Sequence, residues 1–216
     1  MQVLRFPHFA VRDAFPAGMD DAVPPPRPAP ESDEGLMLAY ARGDVAAFET
    51  LYGRHKGGVY RYFVRSLRES GLADELFQDV WSNLIKARAT YTVEAKFSTW
   101  LYRMAHNRLI DHYRRAQVVQ FVPIEGDEEE GAGEDAWPAA EDPGPEVQVA
   151  SRQAAAQLRR LVEALPPAQR EAFLLQAEGG LSLEAIAEAT GTGRETVKSR
   201  LRYAFDKLRA GMKDYL

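Results

Sequence analysis

The sequence predicts an all-α fold of two small helical domains joined by an acidic flexible linker, the C-terminal domain containing a helix-turn-helix. Three observations carry that prediction. Apolar residues recur at helical spacing on both sides of residues 117–150. Charge is divided along the chain: basic residues exceed acids by 13 to 8 over 36–116 and by 11 to 8 over 151–216, whereas 117–150 hold 10 acids and no base. Finally, LSLEAIAEATGTGRETVKSRL, residues 181–201, stops one helix at a glycine turn and restarts it behind basic residues.

A chain of 216 residues, 45% apolar, has material for one or two small cores, and the charge division favours two. The absence of cysteine excludes a disulfide framework and Cys-based metal sites, and fits a reducing, cytoplasmic setting. No run reaches the roughly 18 apolar residues of a membrane span. Residues 1–34, ending in PPPRPAPESDE, have a Pro-rich, disordered-leader composition without a signal peptide's apolar segment. A net charge of -5 argues against a nucleic-acid binder only until it is divided as above.

The first domain is placed at 35–116. LMLAYARG forms a short helix stopped at Gly43, and Asp44 caps the next, which carries Phe48, Leu51, Tyr52, Val59, Phe63 and Leu67. Gly57 and Gly58 in its middle predict a kink. After Gly71, Phe77, Val80, Trp81 and Leu84 form an inward stripe, with Asp74, Glu75, Gln78, Asp79 and Asn83 largely outside it. Thr90 to Lys96 is a β-branched, polar loop, and a helix beginning at Phe97 or Ser98 buries Leu101, Ala105 and Leu109. Its other side offers Arg103, Asn107, Arg108, Asp111, His112, Arg114 and Arg115, beside the aromatics Tyr91, Phe97, Trp100 and Tyr102. Cations for phosphate beside rings for bases suit single-stranded nucleic acid, although a Trp at the core spacing of Trp100 is more often a packing residue.

The segment 117–150 is rich in Gly, Pro and acid with no apolar period, and so is expected to be an extended, self-repelling linker. Its carboxylates lack the alternating ligands and closing Glu of a calcium loop. His106 and His112, six residues apart, do not share a helical face. No metal and no cofactor are expected.

In the second domain, 151–216, Ser182 is an N-cap, Leu181 is placed to staple onto Ile186, and Gly191 is the left-handed stop. Thr192 with Glu195 predicts a capping box that opens the next helix at Gly193. Val197, Leu201, Ala204 and Leu208 form its buried stripe, while Arg194, Thr196, Lys198 and Ser199 crowd the front, where a recognition helix meets base edges.

LADELFQDVWSNLIKA and KFSTWLYRMAHNRLIDHYRR, then a linker, then LPPAQREAFLLQAEGGLSLEAIAEATGTGRETVKSRLRYAFDKLR, resemble in that order the bacterial RNA polymerase sigma factors of the extracytoplasmic-function (ECF) type. The resemblance covers roughly 35–115 and 152–212. It implies a chain that binds core RNA polymerase and directs promoter-specific initiation by recognising promoter DNA and helping to melt it. Glu75, Gln78, Asp79, Ser82 and Ile85 would dock on core polymerase, with Trp81 and Asn83 departing from the residues commoner there. The loop Thr92 to Phe97, including Lys96, would hold a base flipped from the minus-ten element. Asn107, Arg108, Asp111, Arg114 and Arg115 would meet that element. Arg194, Glu195, Lys198, Ser199, Arg202 and Tyr203 would face bases of the minus-thirty-five element, and Thr196 and Arg200 phosphate. The acidic linker would thread the channel that RNA later uses, and an anti-sigma protein is an expected partner.

A stand-alone helix-turn-helix regulator, with a first domain that senses a ligand or partner, is the competing class. Enzyme chemistry has little footing: there is no Ser/His/Asp ordering and no Gly-rich phosphate loop.

Overall fold

Ser32 opens the first helix by accepting the Gly35 N–H on its hydroxyl at 3.1 Å, and Asp33 and Glu34 place acid where the helix dipole favours it. The computed structural model describes residues 31–67, 70–115 and 145–215, so the leader as far as residue 30 and the connector over 116–144 lie outside the described residues. The expected leader is shortened, because its last residues, Ser32 to Glu34, belong to α1 (Asp33–Ala41) and its cap.

Gly43, at φ 104, turns the chain, and Asp44 then caps α2 (Val45–Ser66), its carboxylate accepting the Ala47 N–H at 3.2 Å. α2 runs through Gly57 and Gly58 without a break in its helix. Propensity is a weak prior and packing overrides it here. α3 (Ser70–Ala87) buries Val80, Trp81 and Leu84 together with Ala73 and Leu76. A 3-10 turn at Arg88–Thr90 and a loop lead into α4 (Phe97–Arg115), which buries Leu101, Ala105 and Leu109 as its spacing requires.

α5 (Pro145–Ala164) begins inside the segment expected to be linker, so the helical part of the second module starts earlier than residue 151. α6 (Pro167–Gly179) ends at Gly180, in the left-handed region at φ 61. α7 (Leu183–Thr190) and α8 (Arg194–Met212) follow, and a 3-10 turn at Lys213–Tyr215 closes the described chain.

Among the described residues the two helical domains pack against each other. α2 packs on α1, α3 and also α6, while α4 packs on α3 and also α7. One apolar cluster therefore runs from Met37 and Leu51 through Phe63, Tyr102 and Leu174 to Val197 and Leu208. Burying a continuous apolar surface removes more area from water than two small cores can.

Candidate nucleic-acid interface

The helix-turn-helix is built from local chemistry. The Ser182 hydroxyl accepts the Ala185 N–H at 3.2 Å, and Gly191, at φ 64, ends α7 with its own N–H turned back onto the helix carbonyls. The expected capping box is absent. α8 starts at Arg194 behind Gly193, which caps it without a side-chain hydrogen bond. The Thr192 hydroxyl is engaged elsewhere, 2.9 Å from that of Thr190, which donates to the Ile186 carbonyl at 2.7 Å. The turn is thus tied to α7 rather than to α8. Val197, Leu201, Ala204 and Leu208 are all buried, as the spacing predicts.

That burial turns the front of α8 outward. Arg194, Glu195 and Lys198 are exposed, and Thr196, Ser199, Arg202 and Tyr203 are partly so. Arg194 is not idle: its Nε donates to Glu184 of α7 at 2.6 Å and its Nη1 to Glu195 at 3.2 Å. The Arg194 guanidinium, through that hydrogen bond, pulls the Glu184 carboxyl down to about 2. Lys198 lies 3.8 Å from Glu195. The Arg202 guanidinium sits 5.0 Å from the centre of the Tyr203 ring. Arg200, expected at phosphate, is half-buried instead; burial lowers its pKa and Glu171 of α6 opposes that.

The first module presents two faces. On α3, Glu75, Gln78, Ser82 and Ile85 are exposed and Asp79 partly so, in one row opposite the buried stripe. On and before α4, Thr92, Lys96, Asn107, Arg114 and Arg115 are exposed, with Arg108 and Asp111 half-buried. Arg108 lies 3.9 Å from Asp79, so α3 and α4 are also joined by charge. Thr92 donates to Glu94 at 3.1 Å within the loop.

Phe97 departs from expectation. It is 0% exposed, so its ring is a packing residue lodged by His55 and Trp100 and is closed to a base in this structure. Its N–H, an orphan of the first turn of α4, donates to Glu34 Oε1 of α1 at 2.7 Å. Trp100 is half-buried, its ring 4.9 Å from that of Tyr91. Burial, with the charges of Glu34 and Asp33, pushes the Tyr91 hydroxyl up to about 12, so it stays a neutral phenol. Among the described residues no group of His, Asp or Glu is arranged to hold a metal ion.

Two family models match this arrangement in order: Sigma-70 region 2 over residues 51–118, and Sigma-70 region 4 over residues 155–208. The RNA polymerase sigma factor NccH of Alcaligenes xylosoxydans xylosoxydans is 31% identical over 185 residues, covering 84% of this chain and 95% of its own. The ECF RNA polymerase sigma factor SigK of Mycobacterium bovis is 30% identical over 192 residues, covering 86% and 95%. The chain belongs to the ECF family of RNA polymerase sigma factors.

As a sigma factor it directs promoter-specific transcription initiation; the family is not one of catalysts. SigM of Mycobacterium tuberculosis is a further ECF relative, 29% identical over 177 residues, with 82% of this chain and 83% of that one covered. The fold is shared with CnrH, solved in complex with the cytosolic domain of CnrY, at a TM-score of 0.58 and 21% identity over 84% of this chain and 97% of that one. It is shared also with RpoE from Bartonella quintana, solved with the anti-sigma factor NepR, at a TM-score of 0.53 and 19% identity over 77% and 96%. No helix among the described residues of this sigma factor is long and apolar enough to cross a membrane.

Proposed function

We propose that this sigma factor divides its task between its modules: the first, about residues 35–116, binds core polymerase and the minus-ten element, and the second, about 151–216, reads the minus-thirty-five element. The observation that carries this reading is the exposed front of α8 beyond the left-handed glycine of the turn, with Lys198 and Ser199 in the first turns and the apolar stripe turned inward. In that geometry the front of a helix enters the major groove and side chains reach base edges.

Glu75, Gln78, Asp79, Ser82 and Ile85 form the polymerase-docking row. Thr92, Lys96, Asn107, Arg108, Asp111, Arg114 and Arg115 meet the minus-ten element, with Phe97 holding the loop in shape from beneath. Arg194, Glu195, Lys198, Ser199, Arg202 and Tyr203 face bases, and Thr196 and Arg200 phosphate, Arg200 after turning out of its half-buried position. The acidic stretch between the modules follows the channel that RNA later uses. The chain acts in the cytoplasm, without enzymatic activity of its own and without a cofactor. An anti-sigma protein is its regulatory partner, as NepR is a partner of the RpoE that shares this fold.

Holoenzyme carrying Lys198→Ala tests the division. Discrimination between the target promoter and single-base variants of its minus-thirty-five element should shrink by about 1–3 kcal/mol at one base position. Unchanged discrimination at every position would remove Lys198 from the reading surface.

A further inference from the structure

α4 begins without a side-chain cap of its own. Lys96 stands at its N-cap, because its carbonyl accepts the Trp100 N–H at 3.2 Å, and a lysine side chain has no oxygen to offer the first-turn N–H groups. The acceptor comes from another helix: Glu34 Oε1 of α1 takes the Phe97 N–H at 2.7 Å, across 63 residues of chain. A hydrogen bond to a carboxylate is stronger than one between neutral groups, and this one also puts negative charge where the α4 dipole favours it.

The neighbouring acid holds the same residue through its side chain. Asp33 Oδ2 lies 2.6 Å from His55 Nε2, and the His55 ring lies 5.1 Å, centre to centre, from that of Phe97. Arg54 fixes Asp33 in turn, its Nη1 donating to Asp33 Oδ1 at 2.8 Å and to the Glu31 carbonyl at 2.9 Å. Two consecutive acids of α1 thus grip the backbone of Phe97 and, through His55, its ring.

That grip sits at the C-terminal end of the loop Thr92 to Lys96. At the other end Tyr91 is buried, with its ring 4.9 Å from that of Trp100. Its hydroxyl finds no hydrogen-bond partner among the described residues, so packing holds the Tyr91 side chain in place. Between the two ends Thr92, Val93, Glu94 and Lys96 are exposed. Their hydrogen bonds are local: the Glu94 N–H donates to the Thr92 carbonyl and the Thr92 hydroxyl to the Glu94 carboxylate, both at 3.1 Å. A short loop with few buried contacts takes its placement from its ends. Reading a base requires that placement to be held in one geometry.

We propose that Glu34 is a positioning residue for minus-ten recognition: from α1 it anchors the loop Thr92 to Lys96, with Asp33 and His55 as its brace, and acts through that loop rather than on DNA. The proposal rests on the assignment of Thr92 and Lys96 to the minus-ten element given above.

Holoenzyme assembled with the full chain carrying Glu34→Ala or Glu34→Gln tests it. The probe is a fluorescent single-stranded oligonucleotide with the non-template minus-ten sequence of a promoter located by run-off mapping, each base substituted in turn, and binding is read by anisotropy. Alanine removes the acceptor; glutamine keeps an oxygen for the Phe97 N–H. Asp44→Ala controls for lost stability, because it removes a carboxylate cap from α2 of the same module.

Glu34→Ala should weaken binding of the unsubstituted oligonucleotide about tenfold, the loss expected if the freed loop keeps its binding geometry one time in ten. It should also flatten discrimination at the bases the loop reads. Glu34→Gln should recover most of both, and Asp44→Ala should match the wild type. Discrimination at the minus-thirty-five element should be unchanged throughout. A Glu34→Ala loss no greater than that of Asp44→Ala, or a Glu34→Gln as weak as Glu34→Ala, would overturn the proposal. So would loss of core association or of a cooperative melt in Glu34→Ala, which would make Glu34 a folding residue. If the wild-type holoenzyme itself does not discriminate among the oligonucleotides, the minus-ten reading fails first, and the anchor with it.

Discussion

The inter-module seam and the helix-turn-helix both rely on glutamates facing arginines, yet the two use them oppositely. At the seam, Glu171 and Glu178 are buried and each serves two side-chain donors from another element. At the turn, Glu184 and Glu195 are 63% and 74% exposed and share Arg194 between them. Removing one partner of a buried group leaves the others unsatisfied, whereas an exposed ion pair is readily replaced by water. The seam therefore contributes to stability and the turn keeps its arginine available for exchange. A phosphate or base edge can take Arg194 from Glu184 at little cost; nothing in water replaces Glu171 for Tyr62 without opening the seam.

The largest break in that contrast should come from Glu171→Ala. It strands the fully buried Tyr62 hydroxyl and the His106 ring, and should cost about 3 kcal/mol by urea titration. Glu171→Gln, whose amide oxygen still accepts, should cost less, about 1 kcal/mol. An unchanged midpoint for the alanine variant would mean that the seam is not a stabilising contact.

Gly191→Ala comes next, at about 1–2 kcal/mol, because a Cβ at φ 64 meets the left-handed penalty although no neighbour obstructs it. Ser182→Ala removes the α7 cap and should cost about 1 kcal/mol in the same titration.

Smallest in stability is Arg194→Ala, which sharpens the comparison by titration instead. The Glu184 carboxyl, held at about 2, should rise toward the ordinary carboxylate range but stop short of it, because the hydrogen bonds from its own backbone and from Ser182 remain; carboxyl carbon NMR reads the shift. The sign follows from the depressed folded pKa. The pair is intact above the ordinary range and is lost as pH falls through about 2. A Glu184 that titrates normally in the wild type would separate it from Arg194 in solution.

Those features set by neighbouring residues were legible in the sequence. The caps at Asp44, Ser182 and Gly191, the stripe from Val197 to Leu208 and the exposed α3 row all depend on residues within a turn or two. Features set by distant partners were not. Gly58 carries a local cost in the middle of α2, and only the approach of Glu178 from another module and of the Tyr102 hydroxyl explains its place there. Phe97 has the composition of a stacking residue and is buried because His55 and Glu34 come from elsewhere to enclose it. The Thr192 capping box failed because Gly193, one residue later, takes the N-cap position of α8, leaving the Thr192 hydroxyl against that of Thr190. One signal for the seam was present: Glu171 and Glu178 share a face with Leu174 and Leu175, an acidic pair on an apolar stripe that only donors from outside the helix could satisfy.

Run-off transcription with purified core polymerase on linear genomic fragments tests the central claim most directly. Adding the full chain should produce discrete transcripts from a small set of start sites that core enzyme alone does not use. Transcripts unchanged by the chain, with no association between chain and core enzyme, would contradict the account.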